Sequence, residues 1–78
     1  MRPSISRDVH YVSYGTPGGE YASECRAAKV TAVLSLDDSQ RVSLFVMNPS
    51  GTFFNLDVRQ DEEGHAGGTW HWPERVPE

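Results

Sequence analysis

A chain of 78 residues has room for one small domain with a modest apolar core. Its 11 acidic and 7 basic side chains leave a net charge of −4, which argues against general nucleic-acid binding, where basic side chains neutralise phosphates. Cys25 is the only cysteine, so no intramolecular disulfide can form, and no stretch approaches the roughly 20 apolar residues of a membrane span.

Residues 1–10 contain no apolar run, so a signal peptide is not expected, and residues 1–7 read as a frayed tail of a cytoplasmic protein. Asp8 to Tyr14 alternates as an edge strand does, with Val9, Tyr11 and Ser13 on one side and His10, Val12 and Tyr14 on the other. Gly15 to Glu20 is a loop on composition. It lacks the Lys-Ser/Thr ending of a phosphate-binding P-loop.

Cys25 to Val58 reads as three strands joined by two tight turns. In the first, Ala28, Val30, Ala32, Leu34 and Leu36 share a face, opposed by Lys29, Thr31 and Ser35. Asp37-Asp38-Ser39-Gln40 is a hairpin loop, and Val42, Leu44 and Val46 form the apolar face of the next strand. Asn48-Pro49-Ser50-Gly51 suits a type I turn, with Pro where its fixed φ fits and Gly at the fourth position. Phe54, Leu56 and Val58 share a face in the third strand. Val33, Phe45, Met47 and Phe53 then point the other way, where a free antiparallel sheet normally shows polar groups to water. Two readings stay open: a curling barrel draws them into its core, or Phe45, Met47 and Phe53 form an interface with another copy of the chain.

Arg59 to Gly68 is a polar surface loop. Its acidic run, Asp61-Glu62-Glu63, lacks the spacing of a calcium loop. Thr69 to Trp72 is a short last strand ended by Pro73, and residues 75–78 are a tail. Trp70 and Trp72 share a face and either close the bottom of a barrel or offer a stacking platform to a planar ligand. The whole reads as a single all-β domain over residues 1–78, a small five-stranded antiparallel SH3-like barrel or sandwich.

Chemistry is harder to find. First and last strands often meet in small barrels, so His10 and His71 can approach each other, and Cys25 with them is a conceivable zinc set. That set lacks the paired short spacings of structural zinc motifs, and neither a metal nor a cofactor is expected. No nucleophile stands beside a marked base, so an enzyme is not expected either. Arginine near aromatic rings is the better lead, because its planar fork suits phosphate or carboxylate and stacks on rings. Tyr11, Tyr14, Arg26, Trp70 and Trp72 are the candidate ligand-binding residues. The alternative is that Arg26 and Arg59 pair with Glu20, Glu24, Asp57 or Asp61 at the surface, where such pairs contribute little.

The segments HYVSYG (10–15), CRAA (25–28), VTAV (30–33), NPSGTFFN (48–55) and GTWHWPE (68–74) resemble a group of short proteins encoded by actinobacterial phages and prophages. The resemblance runs from Val9 to Glu74, and its most specific pieces are NPSGTFFN and GTWHWPE. Where that group tends to carry Val-Pro-Tyr-Asp-Glu, this chain has Val58-Arg59-Gln60-Asp61-Glu62, so any ligand contact made by that Tyr is missing here. The resemblance implies a phage context. The expectation is then a non-enzymatic, homo-oligomeric binding module that captures a small anionic or planar ligand. By analogy with phage sponges, that ligand is a nucleotide immune signal of the host. The alternative expectation is a structural or protein-interaction component of a virion or its assembly, with no small ligand.

Overall fold

The computed structural model describes residues 2–14, 24–37, 39–49 and 51–74, so the Gly15 to Glu20 loop and the 75–78 tail lie outside the described residues. The strands are β1 (Asp8–Val12), β2 (Cys25–Val33), β3 (Val42–Asn48), β4 (Gly51–Val58) and β5 (Trp70–His71). They form one antiparallel sheet in the order β4-β3-β2-β1-β5. The described residues include no helix, and thus none long and apolar enough to cross a membrane. The all-β, five-stranded antiparallel expectation holds. The sheet is neither a closed barrel nor one half of a sandwich: it keeps two edges, β4 and β5, and no second sheet packs on it among the described residues. A single parallel bridge, Gln60 to Trp70, ties the chain leaving β4 to β5.

The inner face follows from register, since directly opposed residues in antiparallel strands share a face. Val9, Ala28, Val46 and Phe53 form one row across four strands, and Val30, Leu44 and Asn55 form another. Of these rows, Val9, Ala28, Val30, Leu44 and Val46 build the core together with Tyr11, Val42, Val58 and Trp70. The sheet curls over this core. Tyr11 on β1 meets Phe53 on β4 edge-on, with ring centroids 5.8 Å apart, and the Asn55 amide donates to the Tyr11 hydroxyl at 3.3 Å. In a flat sheet, strands three positions apart lie ~14 Å from each other. Trp70 is completely buried and donates its indole N–H to the Gln40 carbonyl at 2.9 Å, which meets its one polar requirement.

Two bulges overturn part of the alternation expected from the sequence. On β2 the register shifts between Val30 and Ala32, opposite Leu44 and Ser43, so one extra residue reverses the phase. Val33 therefore turns to the core, and Leu34 and Leu36, expected inside, are 46% and 45% exposed. On β4 three steps, Asn55 to Val58, oppose two on β3, Leu44 to Val42. Phe53 and Asn55 thus share the inner face with Val58, while Phe54 and Leu56, expected inside, are 66% and 70% exposed.

Candidate functional site

The five residues expected to bind a ligand do not share one surface. Tyr11 and Trp70 oppose each other in the β1–β5 ladder and are core. Arg26 opposes Tyr11 on its other flank and pairs with Glu24 at 3.1 Å, the surface pairing foreseen as its alternative role. Tyr14 is exposed beyond the Val12 end of β1 and lies over Gly67 and Gly68. Gly68 has φ of 81°, a conformation that favours glycine, and a Cβ there would also displace the exposed Tyr14 ring. Trp72 is at the other end of the β1–β5 pair, edge-on to Trp70 at 5.2 Å and under the Arg7 guanidinium at 5.7 Å. No pocket is found among the described residues.

The residues expected at an oligomer interface are likewise split between faces. Phe45 opposes Lys29 and Met47 opposes Ala27 on the outer face, both half-buried. Phe53 is on the inner face against Tyr11. Its outer-face replacement is Phe54, whose ring lies 5.1 Å from that of Phe45.

A denser polar constellation lies at the opposite edge, on the outer face of β2, β1 and β5. Register places His10 opposite His71 and Val12 opposite Cys25. Cys25 Sγ is 3.6 Å from His71 Nε2, and Glu74 Oε1 is 2.9 Å from the same nitrogen. The His10 ring meets His71 edge-on at 5.3 Å, and His65 stacks on His71 at 3.6 Å with the planes 9° apart. The acidic loop builds this arrangement. The Asp61 carboxylate accepts from the Gly64 and Ala66 amides at 2.9 and 3.0 Å, and His65 between them takes a φ of 51°. Glu62 accepts from the Trp72 amide at 2.9 Å, fixing the chain two residues before Glu74.

At Cys25 and His71 the surroundings disfavour the charged form. Burial, with a smaller contribution from Glu74, pushes the Cys25 thiol above its ordinary value. Burial, seconded by His65, pulls His71 down, although Glu74 opposes this. A thiol so raised is the reverse of an activated nucleophile. The geometry also departs from a hydrolytic triad, in which the carboxylate orients the base through the nitrogen far from the nucleophile. Here thiol and carboxylate converge on one nitrogen, Nε2, which offers a single hydrogen or a single lone pair. Nδ1 of His71 is buried without a hydrogen-bond partner.

Sequence reasoning paired His10, Cys25 and His71 but set them aside, and it missed His65 and Glu74. The His71-x-x-Glu74 spacing was a weak signal for Glu74, and nothing in the polar loop marked His65. Comparison with protein-family models, with curated proteins and with solved structures finds no match for the chain.

Proposed function

We propose that this protein is a non-enzymatic binding module that self-associates along β4, two copies adding their edge strands into one continuous sheet. The observation that carries the reading is the exposure of Phe54 and Leu56 on a strand paired on one side only. Edge strands are usually blunted by charge, proline or cover. From Gly51 to Leu56 this one has no charged residue and no proline. A two-fold axis through Phe54 sets that residue against its own mate and Leu56 against Thr52 of the second copy, so one apolar row completes itself. The same register sets Asp57 against Gly51, so no carboxylates meet. A chain of 78 residues buries a modest share of its surface, and pairing adds to it.

In this reading the curled sheet is a partly open, SH3-like barrel, supported by the Gln60–Trp70 bridge. The ligand is small and anionic or planar. Arg26 supports that part, because its Nε is buried without a hydrogen-bond partner while the residue lies beside Tyr11.

Native mass spectrometry tests both parts. The expected result is a discrete dimer that Phe54→Lys combined with Leu56→Lys converts to a folded monomer. A stoichiometric extra mass acquired from a nucleotide pool and lost in Arg26→Ala establishes the ligand. A parent chain that is monomeric at tens of micromolar sinks the self-association. Open-ended assemblies in place of a dimer favour the virion-component alternative.

A further inference from the structure

His10, Cys25, His71 and Glu74 each offer one ligand atom, and these four atoms lie within 4.8 Å of one another. We infer that they form a tetrahedral site for a divalent transition metal, zinc by its donor chemistry. Zinc takes nitrogen at about 2.0–2.1 Å, oxygen at about 2.0–2.2 Å and sulfur at about 2.3 Å, so the edges of its ligand tetrahedron run ~3.3–3.8 Å. The 3.6 Å from Cys25 to His71 falls inside that range, and the 2.9 Å from Glu74 to His71 lies a few tenths of an ångström below it. The longest separation has to close by about 1 Å to reach it.

Convergence is the argument. One imidazole nitrogen cannot satisfy both a thiol and a carboxylate, but a cation placed between them is bound by all three groups at once. A second imidazole points the same way: His71 is completely buried, and beside it Nδ1 of His10 is buried with no hydrogen-bond partner. Buried polar atoms are rarely left so.

Two imidazoles, one thiolate and one carboxylate are the mixed nitrogen, sulfur and oxygen set that zinc accepts and that calcium and magnesium do not. The ligands are preorganised. His10, Cys25 and His71 are held by the ladders of three adjacent strands, the His65 ring lies flat on His71, and Glu62 holds the backbone that delivers Glu74. Four protein ligands make a closed site, which marks it as structural. It staples β2, β1 and β5 together in a chain short enough to benefit. The site is at the far side of the sheet from β4, so its fate and that of self-association separate cleanly.

The test uses the full chain, stripped with a chelator and titrated with Co²⁺ alone. Saturation at about one ion per chain is expected, with the intense visible bands of tetrahedral cobalt and a near-ultraviolet thiolate-to-cobalt band, all displaced by Zn²⁺. Cys25→Ser, at an exposed position, keeps its far-ultraviolet circular dichroism and loses the thiolate band. Glu74→Gln, also exposed, keeps the fold and lowers affinity about tenfold or more. Non-saturating binding, the weak spectrum of octahedral cobalt, or a Cys25→Ser spectrum identical to the parent's overturns the site.

Discussion

At β4 the sheet stops with eight residues of strand, a bare backbone edge, and Phe54 and Leu56 in solvent. At β5 it stops after two residues, and the segment from Arg59 to Gly68 wraps that edge, taking up the Trp70 amide on the Arg59 carbonyl at 3.0 Å and the Trp70 carbonyl on the Asp61 amide at 2.9 Å. A short, covered edge offers no template to another chain, whereas a long, uncovered one with apolar side chains does. The difference teaches where each kind of chemistry collects. The covered edge is tied down by backbone hydrogen bonds and gathers titratable side chains against one another. The bare edge has the ion pair of Arg41 with Asp57 at 3.5 Å, the uncharged polar side chains of Thr52 and Asn55, and otherwise apolar side chains and backbone.

The comparison can be broken at its hinge. Trp70→Ala removes a completely buried side chain that belongs to β5, to the core and to the bridge with Gln60. It is expected to destabilise the chain by about 3–5 kcal/mol in urea unfolding, a large part of what a small domain has. A loss within the range of surface substitutions would mean that the covered edge does not depend on the core beneath it.

A smaller effect sharpens the covered side. Hydrogen bonds from the Ala66 and Gly64 amides hold the Asp61 carboxyl below its ordinary value. A carboxylate lowered in this way stabilises the folded loop fully above its unfolded-state pKa, and the contribution is lost as pH falls through the folded value, below a pH of about 4. Asp61→Asn is therefore expected to speed amide exchange at Gly64 and Ala66 at neutral pH. Measured against the intrinsic exchange rate at each pH, acid should lower the protection of these two amides in the parent and change it little in the variant.

The smallest effect belongs to the bare side. Arg41 and Asp57 are both well exposed, so Arg41→Gln should move the unfolding free energy by no more than about 0.5 kcal/mol. A larger loss would show that the β4 edge relies on its ion pair as well as on its apolar row.

Much of this molecule was legible in the chain, and the failures have physical causes. The inner face of β3, Val42, Leu44 and Val46, follows from alternation, and all three are buried. Alternation failed on β2 after Val30 and along β4, because one inserted residue flips every side chain that follows. A bulge is chosen by the partner strand's hydrogen bonds, as when Ser43 Oγ donates to the Leu56 carbonyl at 2.7 Å, and no local composition marks it. The histidine constellation failed for another reason. Spacing rules recognise metal sets built from short loops, and this one joins a β1 residue to a β2 cysteine and a β5 histidine 46 positions further along.

The amino-acid sequence by itself determined that the chain would form strands and tight turns, that β1 and β5 could meet, and that no basic surface would dominate. Those properties follow from periodicity, turn chemistry and charge, which act over a few residues or add over all of them. Only the tertiary structure decided that Phe54 and Leu56 face solvent and that His10, Cys25, His71 and Glu74 share one point in space. Strand order and bulges set both, and these depend on hydrogen bonds between segments far apart in the chain.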